Sequence, residues 1–207
     1  MSDASLRRAY GFWAPFYDLI VGGVGHARRR SLGLLAPRAG EHVLLVGLGT
    51  GLDLPHLPAG ACYEGVDLTP AMLLRARRRA RSLGLSLRTA EASASALPFA
   101  GGRFDAAILH LILAVVPDPA AALREVARVL RPGGRAVVWD KMLADDARPS
   151  LVRRAVHALT HRHLTGFMLD LPATLAAAPS LRIAHREPSI VGGMWQIVLL
   201  EKDRRAA

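Results

Sequence analysis

The sequence predicts an α/β fold in which helices cover a largely parallel sheet of seven strands. Three observations predict it. Short β-like apolar runs alternate with longer segments of helical period, the pattern of parallel strands joined by crossover helices. Glycines and prolines stand where those helices would begin and stop. Beyond residue 180 the alternation ends in two successive strands with only Pro188 and Gly192-Gly193 between them, too little chain for a crossover helix, which forces an antiparallel pair at the end of the sheet.

The strands fall at His42 to Val46, Tyr63 to Val66, Ser86 to Thr89, Ala106 to Leu111, Ala136 to Trp139, Leu181 to Arg186 and Met194 to Glu201. Helical segments fall at Leu52 to Leu57, Pro70 to Leu83, Pro119 to Leu130 and Pro149 to Leu164. Pro70 and Pro119 suit a first helical turn, after the caps Thr69 and Asp118. Gly84 and Gly133-Gly134 supply the stops. Ahead of the first strand, Leu6, Tyr10, Trp13, Tyr17, Ile20 and Val24 recur at steps of three and four on a helix interrupted near Pro15, flanked by Arg7, Arg8, Arg28, Arg29 and Arg30. Two readings of this stretch stand side by side: a helix that closes over core and site with a solvated basic face, and an interfacial helix on an anionic membrane. The expected organisation is one domain, an N-terminal helical cap at 1–38 and a catalytic core at 39–207.

A length of 207 residues suits one core, and 51% hydrophobic with 21% charged residues excludes a disordered chain. Cys62 is the sole cysteine, which excludes an intrachain disulfide and a cysteine zinc cluster; it is expected as a small buried hydrophobe. Met1 to Arg8 lacks the apolar stretch of a secretion signal and no apolar run is long enough to cross a bilayer, so a cytoplasmic protein is expected. The formal charge of +10 suggests an anionic surface, whereas the dominance of Arg over the two lysines, Lys141 and Lys202, also follows from GC-rich coding alone. Arg75, Arg77, Arg78, Arg79 and Arg81 read as the solvated face of one helix, and no nucleic-acid module accompanies them. His157 and His161 share a helix face near His163, but no third ligand follows at a metal-binding spacing, so no metal is expected.

The strongest local signal is Val43-Leu44-Leu45-Val46-Gly47-Leu48-Gly49-Thr50-Gly51, a strand feeding a glycine turn. Such a turn brings backbone N–H groups close to a ligand. Leu52 stands where a dinucleotide fingerprint needs its third glycine, and no Gly-Lys-Ser/Thr follows, which argues against NAD and ATP. A short turn suits an adenosyl ligand without a pyrophosphate. Asp67 ends the second strand, where a carboxylate can accept ribose hydroxyls; its alternative is a helix cap, a role that Thr69 fills better.

Gly47 to Gly51, Asp67, Leu97-Pro98-Phe99, Phe104-Asp105 and Arg128-Val129-Leu130-Arg131-Pro132-Gly133-Gly134 together resemble class I S-adenosyl-L-methionine (SAM)-dependent methyltransferases. Outside that core, Trp13-Ala14-Pro15-Phe16-Tyr17-Asp18, Arg28-Arg29-Arg30, Gly51-Leu52-Asp53-Leu54-Pro55, Val115-Val116-Pro117-Asp118-Pro119 and Gly193-Met194 are similar to bacterial phospholipid N-methyltransferases of the Rhodobacter type, which methylate phosphatidylethanolamine stepwise. The resemblance implies a Rossmann-like class I methyltransferase fold and SAM as donor, with S-adenosyl-L-homocysteine (SAH) as product. It implies donor contacts from Gly47, Leu48, Gly49, Thr50, Gly51, Asp67, Leu68, Met72, Ser93, Ala94 and His110. Three positions depart from it. Leu45 replaces an acidic residue two places before the glycine turn, Ser93 replaces one that meets adenine, with Glu91 nearby as a substitute, and Asp140-Lys141-Met142 replaces an Asn-His-Phe stretch.

Methyl transfer is an in-line displacement from a sulfonium, so proximity and orientation carry most of the acceleration, on the order of 7 to 11 kcal/mol. A general base helps an amine or hydroxyl acceptor, and Tyr17, Asp18, His110 and Asp140 are the candidates by location; a structural histidine at 110 is the alternative for that residue. The leading expectation is N-methylation of a phospholipid headgroup at the inner membrane surface. A soluble thiol, phenol, quinone precursor or secondary metabolite is the second acceptor class. A SAM-fold binding module without catalysis is the third reading, motivated by Leu45 and Ser93.

Overall fold

A computed structural model describes residues 25–142, 169–190 and 194–204. The segment from Leu6 to Val24 with Tyr17 and Asp18, the helix expected from Pro149 to Leu164, its three histidines and Gly192-Gly193 lie outside the described residues.

The described elements are α1 (Gly25–Leu35), β1 (His42–Val46), β2 (Cys62–Asp67), α2 (Pro70–Ser82), β3 (Leu87–Glu91), β4 (Phe104–His110), α3 (Pro119–Val129), β5 (Leu130–Lys141), α4 (Leu171–Leu175), β6 (Leu181–Pro188) and β7 (Trp195–Lys202). Seven strands form one sheet in the order β3-β2-β1-β4-β5-β7-β6. β1 to β5 pair in parallel, and β7 enters antiparallel between β5 and β6. The expected fold class, α/β with an antiparallel C-terminal strand, is the observed one.

Successive strand residues face opposite sides of the sheet, and the core divides accordingly. Ala107 and Leu109 of β4 pack with Leu123 and Val126 of α3 and Leu171 of α4. Ala106 and Ile108 pack with Leu32 and Leu35 of α1 and Leu73 and Ala76 of α2. The strings that follow the glycine turn and Asp67 in the family resemblance are largely scaffold. The Arg128 guanidinium donates to the carbonyls of Phe99 (2.7 Å) and Leu97 (3.1 Å), while Glu125 accepts the Leu97 N–H at 2.7 Å. Asp105 accepts the His42 N–H at 2.7 Å and pairs with Arg131, so it joins the beginnings of β1 and β5.

Several local expectations change. The helix expected from Leu52 to Leu57 is a single 3-10 turn, Leu54–His56, because Pro55 and Pro58 interrupt the short segment and the Asp53 side chain turns inward instead of capping. Asp118 does cap α3, accepting the Ala121 N–H at 2.8 Å. Thr69 makes no side-chain cap bond; its own N–H donates to Asp67 Oδ1 at 2.9 Å. Gly133-Gly134 do not stop α3. Leu130 passes directly into β5, and residues 131 to 134 loop out between the Phe104–Leu130 and Ala106–Arg135 pairs. Cys62 is exposed, since it precedes the buried run of β2 that starts at Tyr63. Arg79 leaves the solvated face expected for α2 and donates to the Thr50 carbonyl at 2.8 Å.

Candidate active site

Strand order reverses between β1 and β4: the chain proceeds from β1 outward to β2 and β3, then returns to add β4 on the other side. In open α/β sheets the loops leaving such a reversal diverge and leave a crevice at the strands' carboxyl ends. A cavity of about 670 Å³, open to solvent at its mouth, lies there. Its walls come from the glycine turn (Gly47, Gly49), from the β2 exit (Asp67, Leu68, Thr69, Met72), from Ala92 and Ala94 after β3, and from His110, Leu111, Ile112, Val115 and Val116 after β4.

Local backbone chemistry explains the glycines. Gly47 has φ +68°, and a Cβ there would lie 2.7 Å from Ile112 Cδ1, so the chain passes the β4 loop at a distance only glycine allows. Gly51 has φ +78°, but the atoms a Cβ would strike are those of Leu54 and Ala76, inside the core. The turn therefore has a ligand side and a packing side. Leu48 is buried with its side chain against Gly65, and Thr50 is buried and held by Arg79. Leu48, Thr50 and Gly51 thus stand outside the cavity lining, whereas Gly47, Gly49, Asp67, Leu68, Met72, Ala94 and His110 lie in it. Ser93 also stands outside: it falls between the lining residues Ala92 and Ala94, and its Oγ accepts the Ser95 N–H at 3.3 Å. Glu91 pairs across the strands with Asp67 and is exposed.

Asp67 is placed by both loops at once. Its Oδ2 accepts the Gly49 N–H at 2.8 Å and its Oδ1 accepts the Thr69 N–H. Asp67 does not cap α2 either, because the N–H groups it accepts lie ahead of Pro70, where the helix begins. Burial pushes its carboxyl above the ordinary value of 3.8, against the lowering pull of the Thr69 and Gly49 N–H groups. The Thr69 side chain and the Leu68 N–H also favour the ionised form, and the carboxylate faces the cavity, where a ligand hydroxyl can share one of its oxygens.

The far wall rests on groups that sequence reading did not bring together. His110 Nδ1 lies 2.7 Å from Asp53 Oδ1, and its Nε2 lies 2.8 Å from Ser31 Oγ. Arg28 donates to the same Asp53 oxygen at 2.6 Å, and its guanidinium lies 5.2 Å from the Trp139 ring centroid. Burial raises the Asp53 carboxyl, but His110 and Arg28 outweigh it and hold the group well below the ordinary range. Both His110 nitrogens are engaged away from solvent. Leu111, the next residue, has φ +60°, a strained conformation for a branched side chain, and its N–H donates to the Trp139 carbonyl at 2.8 Å.

Asp140 lies outside the cavity wall. It is 2% exposed, and its carboxylate accepts the N–H groups of Ala114 (3.0 Å) and Lys141 (2.8 Å), tying β5 to the loop after β4. Burial pushes its carboxyl up to about 6. Among the described residues there is no group of three or more His, Cys, Asp or Glu able to hold a metal ion, and no helix is long and apolar enough to cross a membrane.

The residues fit an adenosyl sulfonium. A cavity-facing carboxylate stands beside a close-approach glycine turn, and Leu68, Met72, Ala92 and Ala94 provide apolar walls for a base. A family model described as a methyltransferase domain matches residues 44–138, from β1 through most of β5. The solved structure of a geranyl diphosphate methyltransferase in complex with SAM shares the fold, with a TM-score of 0.70 at 22% identity over 87% of this chain and 85% of that one. The chain thus carries a methyltransferase domain over residues 44–138, and it is a methyltransferase with SAM as its methyl donor.

More particularly, it is 29% identical over 201 residues to a phosphatidylethanolamine N-methyltransferase of Cereibacter sphaeroides, covering 96% of this chain and 98% of that protein. A demethylmenaquinone methyltransferase of Thermus thermophilus is 41% identical over 135 residues, 61% of each chain. The [4+2]-cyclase SpnF shares the fold as well, with a TM-score of 0.77 at 18% identity over 96% of this chain and 95% of that one. Fold alone therefore does not set the acceptor.

Proposed function

We propose that the protein transfers a methyl group from SAM to the amine of a phosphatidylethanolamine-type phospholipid headgroup at a membrane surface. The observation that carries this reading is the near end-to-end similarity to a phosphatidylethanolamine N-methyltransferase, which extends well beyond the donor-binding core. The apolar residues Ile112, Val115 and Val116 at the β4 side of the cavity support it, because a lipid acceptor arrives with apolar surface to bury.

Bound SAM supplies an electrophilic methyl group on a sulfonium. Asp67 would accept the ribose hydroxyls, Gly47 and Gly49 would allow close backbone approach, and Leu68, Met72, Ala92 and Ala94 would enclose the base. Asp67 and His110 are the titratable residues among the described cavity walls, and both His110 nitrogens are already bound to Asp53 and Ser31. Within the described residues, acceleration therefore comes from holding the acceptor in line, worth on the order of 7 to 11 kcal/mol in well-oriented systems.

A second reading, methylation of a quinone precursor, is favoured by the similarity to a demethylmenaquinone methyltransferase and draws on the same apolar wall. Incubation with SAM labelled in its methyl group separates the two. Vesicles containing phosphatidylethanolamine are compared with a panel of quinols, phenols and thiols. Label in the lipid fraction is the expected result, and label confined to the panel overturns the lipid reading.

A further inference from the structure

Arg28, Ser31, Asp53 and His110 meet on a face of the sheet whose other members are apolar, and all four are at most 6% exposed. Stability does not explain them. A buried ion pair is often no better than apolar packing of the same volume, because desolvation offsets the attraction. Two buried donors of the cluster, Arg28 Nε and Trp139 Nε1, also have no hydrogen-bond partner, which costs further free energy.

Their position suggests another use. Asp53 follows the glycine turn that leaves β1, and His110 ends β4, so the bond between them joins the two loops that diverge at the strand-order reversal. Those loops are opposite walls of the donor cavity. An ionised carboxylate only accepts, so Nδ1 of His110 donates to Asp53, while Nε2 is joined to the Ser31 hydroxyl. The ring is held from two sides, by α1 and by the β1 loop. Directly after it come Leu111 at φ +60° and Ile112, whose side chain fills the space a Gly47 Cβ would need. A strained residue persists only where its surroundings over-determine it.

We propose that Arg28, Ser31 and Asp53 are positioning residues for the methyl donor: they clasp His110 across the strand-order reversal and so set Leu111 and Ile112 against the glycine turn. The inference rests on the donor site described above, and SAH binding tests it without knowledge of the acceptor.

Calorimetry with SAH is run on the wild type, on the double variant Arg28→Met/Asp53→Leu, which removes both charges at near-constant shape, and on Ser31→Ala, which keeps the ion pair. Thermal melts and the ¹⁵N signals of His110 are recorded alongside. The double variant is expected to melt no lower than the wild type, to lose the Nδ1–H hydrogen bond to Asp53 in the His110 ¹⁵N signals, and to bind SAH about tenfold more weakly. Ser31→Ala is expected to weaken binding about threefold. A folded double variant that binds SAH like the wild type overturns the clasp. If the double variant does not fold, Ser31→Ala decides, and unchanged affinity there overturns it equally. A wild type that does not bind SAH would instead overturn the donor site, and the clasp with it.

Discussion

Replacing Asp67 by alanine perturbs the donor site at its most connected residue. The carboxylate accepts the Gly49 and Thr69 N–H groups and faces the cavity, where the proposed donor would place its ribose hydroxyls. Losing a hydrogen bond to a charged group costs about 1.5–3 kcal/mol, which corresponds to roughly a 10- to 150-fold rise in the dissociation constant for SAH. Alanine also leaves two loop N–H groups without their acceptor, so the loss should fall in the upper half of that range. Asp67→Asn, which keeps the shape and one acceptor oxygen, should fall below it. Isothermal calorimetry with SAH measures both variants, and a thermal melt verifies that each is folded. A folded Asp67→Ala protein whose affinity stays within about twofold of the wild type would refute the ribose assignment.

Two further predictions concern neighbouring residues. Gly47→Ala places a Cβ 2.7 Å from Ile112 Cδ1 at φ +68°, and should cost about 1–3 kcal/mol in urea denaturation; adding Ile112→Ala should recover the overlap part and leave the backbone part, and a Gly47→Ala protein of wild-type stability would contradict the close approach. The Asp140 carboxyl, pushed to about 6 from an ordinary 3.8, binds its proton more tightly in the folded than in the unfolded chain. Its contribution to stability is therefore greatest below pH 4 and falls as pH rises from 4 to 6. Carboxyl ¹³C NMR should give a midpoint near 6, and a midpoint near 4 would show that burial does not outweigh the N–H groups the carboxylate accepts.

The sheet was legible because its strands are apolar runs bounded by glycine, proline and charge. β1 has its expected bounds, since His42 and Gly47 flank an unbroken apolar run that central parallel strands require. β5 was harder: its first residues contain Pro132-Gly133-Gly134, which read as a helix stop, yet they form an irregular loop within the strand. The cavity residues Gly47, Gly49 and Asp67 were legible in the sequence, because a glycine turn and a carboxylate at the next strand's end are both local signals. The roles of Leu48, Thr50 and Gly51 were not, because the same turn has a face toward the core.

The clasp was least visible. Its four residues are spread from α1 to β4, and nothing in a one-dimensional pattern pairs position 53 with 110. Arg28 read as one member of a basic run, although only Arg29 and Arg30 of that run are exposed. A signal existed nonetheless: Arg28 and Ser31 fall on the buried stripe of α1 with Ala27, Leu32 and Leu35. A charge and a hydroxyl on an apolar stripe call for buried partners elsewhere in the chain.

A crystal structure with SAH bound tests the central claim most directly. The account predicts the ribose hydroxyls on Asp67, the amino-acid portion against Gly47 and Gly49, and Leu111 still at positive φ behind the ligand. SAH bound elsewhere, or an adenosyl group turned away from Asp67, would contradict it.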